Sequence, residues 1–339
     1  MKKEIYSKLV IMALLTVVGC SKDATDDAGT SNTQEPDARL QMVGITRAVS
    51  GETTWNDIHA FLTSGTTLVE GGFKYDNTTA EWSTRLKLKS GTRTYRLYGF
   101  MPDDAELTSE LTSWTDEGAV LRIANLNPLT LDDYCVVTGV RQVSLPTDKT
   151  SATRGNFSFE YQSNRQNYIN LFLDHMMSQL EFNMKISTTY NTLRTIKIKK
   201  MTLKLANISR MQAEVTLTNS VGISAISYTT TGTEANSCII GAYSGEEIKT
   251  LTTTPTVICN AYVVPATDLF DNLVLETEFE VYDKKRNKIA DRTATNKLTT
   301  PLNELERGEK RTLLITVDPT YLYVLSDPDL DNPTMTIED

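Results

Sequence analysis

LEFNMKI, residues 180–186, alternates Leu180, Phe182, Met184 and Ile186 with Glu181, Asn183 and Lys185. Successive side chains of an extended chain point to opposite faces, so a strict period of two describes a half-buried antiparallel strand. The pattern recurs further along. LVLETEFEVY (273–282) sets Leu273, Leu275, Phe279 and Val281 on one face, and TLLITV (312–317) does so with Leu313, Ile315 and Val317. TIKIKKMTLKL (195–205) begins with Ile196 and Ile198 inward, then changes phase to Met201, Leu203 and Leu205. A slip of one residue would turn every side chain over, so a bulge at Lys199 and Lys200 is the economical reading.

The amino-terminal half carries the same signal with more noise. RTYRLYGFMP (93–102) reads as a strand that stops at Pro102, and GGFKYDNTTAEWS (71–83) as two short strands around an Asp-Asn turn. Only WNDIHAFL (55–62) and YINLFLDHMMSQ (168–179) have helical spacing, and both are short. The fold class expected is all-β with few short helices. At 339 residues and 40% hydrophobic content the chain can fill about two cores. Two tandem antiparallel β-sandwiches fit that length, with a boundary near residue 172: an amino-terminal sandwich over 39–172, a carboxy-terminal one over 173–319, and a tail over 320–339.

The amino terminus announces export. Lys2, Lys3 and Lys8 accompany the apolar run LVIMALLTVV (9–18), followed by Gly19 and Cys20. This is a secretory signal peptide over residues 1–19, and its apolar run, at about half the length of a membrane span, is too short to cross a bilayer. TVVGC (16–20) resembles the lipobox of bacterial lipoproteins, which makes Cys20 the lipidation site. Residues 20–38 contain SKDATDDAGTSNTQEPD, a polar stretch unable to bury enough surface to offset its ordering entropy, and read as a lipidated disordered leash.

Chemistry-bearing motifs are scarce. The net charge of −9 argues against nucleic acid and anionic membrane as partners. The two histidines, His59 and His175, lie far apart, and neither has Cys, Asp or Glu neighbours at a metal-ligand or nucleophile spacing. His59 is expected on a short surface helix and His175 as a packed residue. Cys238 and Cys259 are the pair able to form a disulfide, with free buried thiols as the alternative. DPDLDNPTMTIE (327–338) imitates a calcium loop through Asp327, Asp329, Asp331 and Glu338, but Asn332 replaces the required glycine and Pro333 follows, so a solvated acidic turn is expected. Trp55, Trp82 and Trp114 could stack on sugars or fill cores. The reading is a non-enzyme without metal or cofactor.

Lipobox, acidic leash, the strand ARLQMVGITR (38–47) closed by Arg47, and then two β-sandwiches resemble together the fimbrillin family of Bacteroidetes, the subunits of the type V pilus. FKYDNTTAEWS with TYRLYGFMP, LDHMMSQLEFNMKI and RTLLITVDPTYLYVLSDPDLDNP extend the resemblance along the chain. It implies Greek-key, transthyretin-like sandwiches and an outer-membrane lipoprotein precursor that becomes part of a cell-surface fimbria. It also implies a first strand removed by an Arg-specific protease, here between Arg47 and Ala48, with Arg39 as a rival site that would leave the strand intact.

Loss of Leu40, Met42, Val43 and Ile45 would open an apolar groove with an unpaired strand edge. A segment of a neighbouring subunit would fill it by strand addition. The candidate donor is Tyr321, Leu322, Tyr323, Val324 and Leu325, although this stretch could equally pack on its own domain, and TMTIED (334–339) could add a second short strand. The competing reading is a surface-anchored glycan-binding lipoprotein of tandem sandwiches, which would show exposed aromatics on one face and keep residues 39–47 throughout.

Overall fold

A computed structural model describes residues 40–47, 56–149, 153–299, 302, 305–321 and 328–338. The period-two runs are strands. The chain begins with β1 (Leu40–Arg47), then β2 (Ile58–Ser64), β3 (Thr67–Asp76), β4 (Glu81–Thr84) and β5 (Thr92–Met101). β6 (Thr108–Trp114) and β7 (Gly118–Leu126) form a hairpin, the two-residue β8 (Leu129–Thr130) follows, and β9 (Cys135–Val143), β10 (Ser158–Gln162) and β11 (Asn167–His175) return to the first group. Then come β12 (Ser178–Ile186), α1 (Thr188–Leu193), β13 (Thr195–Leu205), β14 (Arg210–Thr218), β15 (Gly222–Gly232) and β16 (Asn236–Ala242). The last stretch holds β17 (Lys249–Thr250), β18 (Thr256–Val263), α2 (Thr267–Phe270), β19 (Leu273–Tyr282), β20 (Lys288–Lys297), β21 (Lys310–Tyr321) and β22 (Pro328–Glu338).

These strands make four sheets. The first runs β1-β11-β9-β5-β2-β3-β4, with β10 paired to β5, and its end strands β1 and β4 approach each other so that it nearly closes into a barrel. The others run β22-β21-β12-β18-β8, then β16-β13-β19-β20 with β17 on β13, and β15-β14-β7-β6. Alternation decides which core each residue joins. Ala60 and Leu62 of β2 and Leu97 of β5 face the barrel interior with Phe73, Trp82, Tyr161, Ile169 and Leu171. Phe61 and Tyr98, one position out of phase, join the larger core that the remaining sheets share.

LEFNMKI lies in β12, where Leu180, Phe182, Met184 and Ile186 are fully buried between β18 and β21. The bulge in β13 is present: the register against β19 shifts between Ile198 and Lys200. The Asp-Asn turn joins β3 to β4, with the Asp76 carboxylate accepting from the Thr78 amide at 2.8 Å. β5 stops at Met101, before Pro102.

Two expectations need correction. Neither run with helical spacing is a helix: residues 58–62 lie in β2 and residues 168–175 in β11. In β11, Ile169, Leu171 and Leu173 face the barrel while Asn170 and Phe172 are buried from the other side. A strand covered on both faces becomes an unbroken apolar run that spacing cannot tell from a helix. The helices described are α1, α2 and a 3-10 turn at Gly245–Glu247; α1 starts where Ser187 Oγ accepts from the Tyr190 amide. Second, the pairing is not wholly antiparallel, because β1 with β11 and β12 with β21 run parallel.

Residue 172, where the boundary is expected, lies inside β11, and β7 and β8 pair with β14 and β18 from beyond it. Among the described residues no helix is long and apolar enough to cross a membrane.

Candidate functional site

β1 is the edge strand of the barrel-like sheet. It pairs in parallel with β11 from Leu40 opposite Asn167 to Arg47 opposite Leu173, with a register shift between Met42 and Gly44. The shift leaves Val43 as the extra residue of a bulge, which changes the inward phase from Leu40 and Met42 to Ile45. Leu40 and Met42 are members of the barrel core and Ile45 packs against it; Val43 is buried as well.

The bulge also sets the fit on the outer side. A Cβ added at Gly44 would lie 1.8 Å from the Lys149 carbonyl oxygen, so only glycine lets that loop cross the strand. Asn170 of β11 holds the same loop by donating to the Asp148 carbonyl at 2.7 Å. β1 is thus bonded along one edge, covered on both faces, and followed at its end by Arg47. Ala48, like Cys20, lies outside the described residues.

The tail is organised differently from its sequence reading. Tyr321 ends β21, while Leu322, Tyr323, Val324 and Leu325 lie outside the described residues. The stretch expected as an acidic turn is β22, an edge strand antiparallel to β21. Pro333 is tolerated because an edge strand need not donate from every amide. Met335 is buried, and Leu330 and Ile337 pack on the core.

Neighbouring side chains fasten β22 further. Arg292 Nε and Asn296 Nδ2 of β20 donate to the Asp331 and Met335 carbonyls, each at 2.8 Å. Tyr190 donates to the Leu330 carbonyl at 2.6 Å, and Arg194 meets the Asp331 carboxylate at 2.9 Å. Asp331 is therefore committed to an arginine rather than to a calcium loop.

The remaining candidates separate. Trp82 is buried in the barrel, and Trp114 is half-buried with its indole donating to the Gly65 carbonyl at 3.0 Å; Trp55 lies outside the described residues. His59 is in β2, stacked on Phe100 and bonded to Asp103 at 3.0 Å, not on a helix. Cys238 and Cys259 are free thiols, not a disulfide. Burial pushes the Cys259 thiol up to about 12 and raises that of Cys238.

One cluster escaped the sequence reading altogether. Asp133, Cys135 and His175 converge, all buried, with their donor atoms within 4.8 Å of one another. Asp133 is two residues before Cys135 and so on its face, and the β9–β11 register places His175 opposite Cys135. Forty residues separate the thiol from the imidazole, and sequence spacing alone could not join them.

Neither a family profile nor a curated protein matches the sequence. Among solved structures, a fimbrial protein from Bacteroides vulgatus is similar over 87% of this chain and 98% of its own, at 12% identity and a TM-score of 0.46. The fimbrial anchor protein Mfa2 from Porphyromonas gingivalis is similar over 88% of this chain and 96% of its own, at 9% identity and a TM-score of 0.31. Likenesses this distant assign no activity, which has to be read from the chain's own residues.

Proposed function

We propose that the chain is a structural, non-catalytic fimbrial subunit with an adhesive role, exported as an outer-membrane lipoprotein acylated at Cys20 and activated by cleavage after Arg47. The observation that carries the reading is β1: the first described strand, at the edge of its sheet, buried on both faces, bonded to β11 along one edge among the described residues and closed by an arginine. Burial of Leu40, Met42 and Val43 contributes roughly 5–9 kcal/mol at the usual 1.5–3 kcal/mol for each large apolar side chain. A groove left without that contribution needs another strand of similar apolar content.

The donor in this reading is the tail of a neighbouring subunit from Tyr321 onward, including Leu322, Tyr323, Val324 and Leu325. β22 is an edge strand that can leave β21 without breaking any other pairing, and its Met335 and Ile337 supply alternate apolar residues. Donor and groove are different surfaces, so the contact is head-to-tail and extends into a fibre. The Greek-key, transthyretin-like arrangement implied by the fimbrillin resemblance belongs to the same proposal, as do the Arg-specific protease and other fimbrial subunits as partners.

Limited digestion of the purified precursor with an Arg-specific protease tests it. The expected product begins at Ala48 and forms ladders of multiples on gel and by size. A product that stays monomeric, or a precursor refractory at Arg47, would contradict the proposal.

A further inference from the structure

The Asp133, Cys135 and His175 cluster has the donor set of a metal centre. The start of β9, the end of β11 and the segment just before β9 build it. Met101 of β5 stands opposite Cys135 of β9, and Cys135 stands opposite His175 at the end of β11, so the three share one face of the sheet. Asp133 joins them two residues before Cys135. Cys135 is fully buried, and the Asp133 and His175 side chains are 2% and 9% exposed.

The distances are informative. Cys135 Sγ lies 3.7 Å from His175 Nδ1 and 3.4 Å from Asp133 Oδ2, while Nδ1 and Oδ2 are 2.5 Å apart. Zinc bonds of about 2.3 Å to sulfur and about 2.0–2.2 Å to nitrogen or oxygen, at the tetrahedral angle, hold sulfur roughly 3.5 Å from the lighter donors. Both sulfur edges already have that length. The third edge is shortened by an imidazole–carboxylate hydrogen bond that an ion would replace.

We propose that Asp133, Cys135 and His175 form a structural zinc site that pins the start of β9 to the end of β11. Thiolate, imidazole and carboxylate are zinc's own ligands, whereas calcium and magnesium take oxygen. On binding, the Cys135 thiol proton passes to solvent and the imidazole proton moves to Nε2, leaving Nδ1 to ligate. Nε2 is itself buried with no hydrogen-bond partner among the described residues, so the N–H formed there is a cost that the bonds to the ion offset. The fourth position is left to water. Because the donors are buried, the ion enters as the strands assemble.

The full-length precursor, refolded with zinc sulfate and dialysed, is expected to retain one zinc per chain by elemental analysis. X-ray absorption should show one sulfur scatterer, and cobalt substitution should give thiolate charge-transfer absorption. Cys135→Ala and His175→Gln should lose the ion, while Cys238→Ala keeps it. Zinc should raise the melting temperature of the wild type and not of Cys135→Ala. A precursor that retains no zinc, or whose zinc has no sulfur ligand, overturns the proposal. The absorption spectrum decides on wild-type protein even where a variant fails to fold.

Discussion

Met42 and Ile169 stand opposite each other across a parallel strand pair, both buried in the core of the barrel-like sheet. The methionine lies in the first described strand and the isoleucine in β11, so this contact is part of what holds the amino-terminal segment in place. Met42→Ala leaves a cavity there and should destabilise the precursor by about 2–5 kcal/mol. A urea titration checks it, with a lower midpoint and an unchanged slope expected.

Gly44→Ala probes the same strand from its outer side. The new methyl group would meet the Lys149 carbonyl, which is backbone and cannot rotate away. Strain on the order of 1–3 kcal/mol is the usual cost of overpacking. Hydrogen exchange should show faster opening of residues 40–47 and of β11, with β12 and β13 unchanged.

Arg47→Ala should abolish ladder formation and leave the melting temperature of the precursor as it was. Ladders formed by this variant would show that the trigger lies elsewhere, with Arg39 the first alternative to test by mass analysis.

The tail latch is weaker than its bond count suggests. Arg194 and Asp331 form a partly exposed ion pair, and such pairs contribute about 0.2–1 kcal/mol. Asp331→Ala should therefore barely move the unfolding midpoint. The same change should speed hydrogen exchange in β22 and, after cleavage, the growth of ladders. An unaltered exchange rate would mean that the carbonyl bonds from Arg292 and Asn296 suffice to hold the strand.

Several buried acids give the protein an alkaline limit. Burial pushes Tyr98 and Tyr134 from an ordinary 10.0 up to about 12, and Cys259 from 9.0 to about 12. Between those values the unfolded chain has released protons that the folded one retains, so stability falls as pH rises. The melting temperature should show no loss from these groups below about pH 9 and should decline steadily from there to about pH 12, as a pH series of thermal scans would show.

Much of this architecture is legible in local pattern. The alternation of residues 180–186 and the phase change at Lys199 and Lys200 are written in neighbouring residues, because a strand half-covered by a core reports its own orientation. β11 is not legible, since burial from both sides erases the alternation. β22 reads as a turn because Asp329, Asp331 and Pro333 discourage a strand; what settles it is bonding from Arg292 and Asn296, some forty residues earlier. The Cys135–His175 contact depends on the register of β9 against β11, which two isolated strands do not specify. The strand ending at Arg47 is legible as a strand, while its parallel pairing with β11 follows from the topology of the whole sheet.

A synthetic peptide of residues 320–339 tests most directly whether removal of β1 leaves a vacancy that the tail of a neighbour fills. Added to cleaved protomer from which residues 20–47 have been stripped, the peptide should bind one to one and cap the growth of ladders. A stripped protomer that ignores the peptide, and forms ladders as readily in its presence as without it, would contradict the account.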